Sequence, residues 1–133
     1  MICWKVNNYG NSGEYQVRRD FVKKNIKDVE EWIDKNIDSG INSADVVKVS
    51  GYSRSYFLRE FSTEKNITVS CYIRLLRLEL ASKLLTNTDL SVKEISKNLS
   101  YPSQSSFCQC FKKHYHISPT EYRYKALYAR GAN

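Results

Sequence analysis

The chain has 133 residues, of which 41% are hydrophobic and 26% charged, and its 21 Lys and Arg outweigh 14 Asp and Glu for a formal charge of +7. This composition supplies a modest apolar core and excludes wholesale disorder; with five Gly and two Pro it also excludes collagen-like and flexible-linker architectures. No apolar run approaches the roughly 18 residues of a membrane span, the first ten residues lack the layout of a secretory signal, and four Cys in such a chain read as reduced thiols, so a soluble cytoplasmic protein with an anionic partner and no membrane contact is expected.

Residues 1–24 are polar, with Asn7, Asn8, Gly10, Asn11, Ser12 and Gly13 close together, and read as a flexible N-terminal segment. From Asn25 the pattern turns helical: Ile26, Val29, Ile33 and Ile37 follow 3–4 spacing, and Asp38-Ser39-Gly40 ends the helix on a residue suited to positive φ. Asn42, with Asp45 three residues on, opens a short helix closed by Gly51. Ser53 caps the next, which carries Phe57 and Phe61 one turn apart and ends at Asn66. Thr68 caps a longer helix from Val69 to Leu85, with Ile73, Leu76, Leu80 and Leu84 on one stripe. Ser91 and Glu94 form a capping-box pattern for a short helix ending near Ser100. Ser103 caps a helix holding Phe107 and Phe111, and Ser118-Pro119-Thr120-Glu121 starts the last one. With no useful β-alternation, the fold class is all-α: seven helices forming two helix-turn-helix subdomains, residues 25–67 and 87–133, joined by a linker helix over 68–86.

The order of short helix, turn, helix, connector and helix occurs twice. Phe57, Phe61, Ile67 and Tyr72 stand 50 residues before Phe107, Phe111, Ile117 and Tyr122, whereas Tyr52 stands 49 before Tyr101, so the second turn holds one extra residue. A short helix, a tight turn and a second amphipathic helix is the signature of a motif whose second helix enters the DNA major groove. The Phe pairs fix the inner faces. Arg54, Ser55, Leu58, Arg59 and Ser62 are then left outward in the first copy, and Gln104, Ser105, Cys108, Gln109 and Lys112 in the second. Arg can donate two hydrogen bonds to guanine, Gln can pair with adenine, and an apolar side chain can press on a thymine methyl; serine hydroxyls, helix N-termini and cations suit phosphate oxygens. Net charge is +3 over residues 1–24, −3 over 25–50, +3 over 51–100 and +4 over 101–133, so only the second quarter is unsuited to a polyanion.

The stretch from Gly51 to Phe61, and Ser103-Gln104-Ser105-Ser106-Phe107 followed by Phe111-Lys112 and by Ile117 to Arg123, resemble the two recognition segments of AraC/XylS transcription regulators of the short, stand-alone DNA-binding type. The resemblance covers roughly residues 25–125. It implies a monomeric, sequence-specific regulator of the bacterial cytoplasm, associated with the nucleoid. Its two recognition helices would enter successive major-groove segments of double-stranded DNA, and it would activate transcription through RNA polymerase. The family's base-contacting positions fall on Ser55, Leu58, Arg59, Gln104, Ser105 and Gln109; phosphate contact is expected of Arg54, Ser62, Ser103, Cys108 and Lys112. Ser55 stands where short relatives often carry an aromatic residue, Leu58 where they carry Gln, Gln109 where they carry Arg, and Ser100 where the second turn often has Gly, which implies a different target sequence and a more strained turn.

Other chemistries are less well served. Cys110 and His114 are one helical turn apart, but Cys108 and His116 point elsewhere, so no closed metal site is expected. No nucleophile-elbow, phosphate-loop or zinc-protease motif occurs, so no enzyme, catalytic residue or cofactor is expected. The alternative reading is a protein-interaction module, an anti-activator or polymerase-binding factor on the same scaffold. A connector of 17 residues spans roughly 25 Å, short of the 34–36 Å, roughly, between successive major-groove faces of straight DNA. Bound DNA is therefore expected to bend, at a cost of about 1–6 kcal/mol, or one motif to engage poorly. A circular-permutation gel shift should show that bend; straight DNA with both motifs protected would contradict it.

Overall fold

The computed structural model describes residues 12–131. Among them are seven α-helices and no strand: α1 (Ser12–Asn36), α2 (Ser43–Ser50), α3 (Arg54–Lys65), α4 (Val69–Asn87), α5 (Val92–Asn98), α6 (Gln104–Tyr115) and α7 (Pro119–Gly131). A 3₁₀ turn, Ile37–Ser39, follows α1 and ends at Gly40 with φ 73°.

The helix starts obey local chemistry. Asn42 accepts from the Asp45 amide at 3.1 Å while Asp45 accepts from the Asn42 amide at 3.0 Å, and Ser91 and Glu94 make the same reciprocal pair. Ser53, Thr68, Ser103 and Ser118 each accept from the amide three residues on. Each satisfies an otherwise orphaned donor. The ends follow too: Asn66 and His116 both sit in the left-handed region, 50 residues apart at the C-termini of α3 and α6.

One expectation fails. Residues 12–24, read as part of a flexible segment, belong to α1; residues 1–11 lie outside the described part. The reasons are tertiary. Val22 is 3% exposed and joins Ile26, Val29 and Ile33 in the core. Arg19 forms an ion pair with Glu60 of α3 and approaches Glu64 at 3.6 Å, and Asn25 donates to the Ser50 carbonyl at 3.1 Å. Hydrophobic spacing read from Asn25 onward missed a stripe that already begins at Val22.

The apolar residues form two clusters. The first gathers α1, α2 and α3 around Phe57 and Phe61; the second gathers α5 and α6 around Phe107 and Phe111. α4 serves both, giving Val69 and Ile73 to the first and Leu78, Ala81 and Leu85 to the second. The expected single stripe is thus only partly the buried one: Ile73 is buried, while Leu76, Leu80 and Leu84 are half-buried. A helix packed on two sides has no single apolar face, so a 3–4 pattern cannot rank its leucines. Arg123 of α7 closes the far end, donating to the carbonyls of Leu85 at 2.9 Å, Thr88 at 3.2 Å and Leu90 at 2.5 Å, acceptors left open where α4 ends.

The halves also meet at Ser100. It adopts φ 63°, and the Ser100 amide donates to Lys97 and the Tyr101 amide to Ser96, both at 3.0 Å, the left-handed helix ending usually given to Gly. The serine has a use: its hydroxyl donates to the Asp38 carbonyl at 3.3 Å, in the first half of the molecule. Gly40 lies against it, and a Cβ added there would meet Ser100 Cβ and Oγ at 3.2 Å. Gly40→Ala therefore combines crowding with a left-handed L-residue that costs about 1–2 kcal/mol. Urea denaturation should report a loss of at least about that size, and an unchanged midpoint would refute this account of the junction.

Candidate nucleic-acid interface

The aromatic anchors decide which face of each recognition helix remains free. Phe57 is 1% exposed and Phe61, Phe107 and Phe111 0%. Phe57 and Phe61 lie 5.9 Å apart, Phe107 and Phe111 5.8 Å, and Tyr72 and Tyr122 meet Phe61 and Phe111 edge-on at 5.5 and 5.3 Å. The two copies thus pack with one geometry, and burying each ring stabilises the fold by roughly 1.5–3 kcal/mol.

In α3, Arg54, Ser55 and Arg59 are exposed, and Ser62 and Leu58 are half-buried. In α6, Gln104, Ser105, Gln109 and Lys112 are exposed and Cys108 is half-buried. The outermost donors thus stand in solvent. Leu58 and Cys108, equivalent in the repeat, lean back onto the first and second cores; the part Leu58 still exposes is available for apolar contact. Burial raises the pKa of the Cys108 thiol, the opposite of what a redox-sensing thiolate needs. Ser103 is exposed, but its hydroxyl already caps the Ser106 amide at 3.0 Å and donates to Ser106 Oγ at 3.2 Å; contact with a phosphate would exchange the second of these bonds. Among the described residues no group of three or more His, Cys, Asp or Glu is placed to hold a metal.

Arg59 has a built environment that sequence reading did not find. Its guanidinium lies over the Tyr56 ring, 5.7 Å from the centroid, and its Nε is 3.8 Å from Glu60 Oε2, with the side chain 65% exposed. The Tyr56 hydroxyl is pushed above its ordinary pKa, first by burial and then by Glu60. The signal available in advance was only a Tyr-x-x-Arg-Glu run, which does not announce a partner from α1.

Part of the acidic second quarter lies in a groove between α1 and α4, where Asp34 stands with Asp38, Glu79 and Lys83. Its pKa is raised by burial, then by Glu30, Glu79 and Glu31. A carboxylate easier to protonate in the folded state adds stability below its unfolded pKa and loses that contribution as pH rises through the folded value. Asp34→Asn should therefore raise the melting temperature at pH 7, with the gain fading as pH falls through the carboxylate range; a lower melting temperature at pH 7 would contradict the assignment.

Comparison with known proteins agrees with this geometry. Residues 46–125 match the family model described as a helix-turn-helix domain. The regulatory protein SoxS of Escherichia coli K12 is 38% identical over 103 residues, covering 77% of this chain and 96% of SoxS. The transposon Tn10 TetD protein of Escherichia coli is 36% identical over 110 residues, covering 83% of this chain and 80% of TetD. The DNA-binding domain of the global transcriptional factor AdpA, solved in complex with a target DNA, superposes with a TM-score of 0.76 at 20% identity, over 81% of this chain and 97% of that one; that likeness is one of fold, and its extent requires both halves of the molecule to align together. The chain belongs to the AraC-type helix-turn-helix family of transcription regulators. No enzyme family is indicated by its relatives.

Proposed function

We propose that this regulator binds double-stranded DNA sequence-specifically as a monomer in the cytoplasm. It inserts α3 and α6 into successive major-groove segments and activates transcription through contact with RNA polymerase. The observation that carries the reading is the pairing of two Phe-anchored helices with exposed Arg59 and Gln104. Arg59 and Gln104 read base edges, together with Ser55, Ser105 and Gln109, while Leu58 offers its exposed part to a thymine methyl. Arg54, Ser62, Ser103, Cys108 and Lys112 lie along the phosphates and set register and orientation. SoxS, a regulatory protein at 38% identity, and the DNA complex of AdpA support this reading.

The chemistry separates the two kinds of contact. Arg59→Ala and Gln104→Ala should each lose about 1–3 kcal/mol, concentrated at one base pair. Arg54→Ala and Lys112→Ala should weaken all sequences alike and lower the slope of log affinity against log salt by about one. Fluorescence anisotropy on a duplex enriched from a randomised library measures both. If none of the four substitutions changes binding to that duplex, the protein-interaction module is the better reading.

A further inference from the structure

We propose that Arg19, on the N-terminal extension of α1, is a positioning residue for base reading: by holding Glu60 it keeps the Arg59 guanidinium free for the groove. The inference rests on the DNA-binding reading above. One carboxylate lies between two guanidinium groups. Glu60 Oε1 is engaged by Arg19 Nη1, and Glu60 Oε2 faces Arg59 Nε at 3.8 Å. The Arg19 and Glu60 side chains are 22% and 15% exposed, against 65% for Arg59. The Arg19–Glu60 pair is the partly buried one, and the exposed Arg59 contact is long.

Charge and geometry give this arrangement a consequence. A carboxylate directly after a groove-reading arginine competes with the base for the same donors, and it carries a negative charge toward the phosphates. Arg19 satisfies that carboxylate from α1 and also reaches Glu64 at 3.6 Å, so both acidic side chains of α3 are engaged from α1. Tyr56 supports the Arg59 guanidinium from beneath at 5.7 Å. The donor is thereby pre-oriented, which reduces the ordering cost on binding. Without Arg19, Glu60 keeps Arg59 as its partner one residue away and draws the guanidinium back toward α1.

The test uses the full chain and a duplex enriched from a library randomised over about two helical turns. Arg19→Ala should weaken binding to that duplex about tenfold and abolish discrimination at the base pair identified by Arg59→Ala, while discrimination at the Gln104 position persists. Glu60→Gln should have little effect alone and should restore discrimination in the Arg19→Ala background. A simple brace between α1 and α3 would lower the melting temperature and weaken all sequences alike, with no rescue by Glu60→Gln, and that result overturns the proposal. If the wild-type chain enriches no sequence, the DNA-binding reading falls and takes this one with it. If it does enrich one and Arg19→Ala keeps full discrimination, only the present inference fails.

Discussion

Four phenylalanine rings fix the molecule. Phe57 and Phe61 on α3, and Phe107 and Phe111 on α6, have no exposed surface to speak of. A buried Phe truncated to Ala typically costs about 3–5 kcal/mol, a large share of the stability of a small domain. Their position one turn apart leaves each helix a single orientation and so decides which side chains meet solvent. Ser55, Arg59, Gln104, Ser105 and Gln109 are outward because the rings are inward. The free face is thus a by-product of core packing: the interior sets the azimuth of α3 and α6, and that azimuth decides which donors stand in solvent.

The second constraint is the connector. A 19-residue helix that feeds both cores cannot rotate to please one half without disturbing the other. The hydroxyl of Ser100 on the Asp38 carbonyl, Arg77 on the Ile41 carbonyl at 2.5 Å and Tyr115 on the Leu78 carbonyl at 3.3 Å tie neighbouring elements to the same frame. A stiff frame fixes the spacing between α3 and α6, so in the proposed DNA-binding reading the groove spacing would have to adapt to the protein.

Much of this was legible in the sequence because it is local. Caps such as Asn42 with Asp45 and Ser91 with Glu94 need only residues three apart, and the repeated Phe, Ile and Tyr anchors needed only a 50-residue comparison. Ser100 was legible as an anomaly, a non-glycine where the turn wants positive φ, but its compensation is a bond to Asp38, 62 residues away. The start of α1 was hidden because Asn and Gly cluster just before it and because Tyr15, Val17 and Phe21 are all more than half exposed, so no buried stripe announces it before Val22. Arg19, Glu60 and Arg59 form a set only in three dimensions. The inward lean of Leu58 and Cys108 was equally invisible, since helical periodicity places a residue on a face without saying how deeply the neighbouring core reaches around it.

The central claim is that both aromatic-anchored helices engage one duplex at once. Hydroxyl-radical footprinting of the full chain on its enriched duplex tests it most directly. Two protected patches on one face of the DNA, about 10–10.5 base pairs apart, are predicted; a single patch, or two patches on opposite faces, would contradict it.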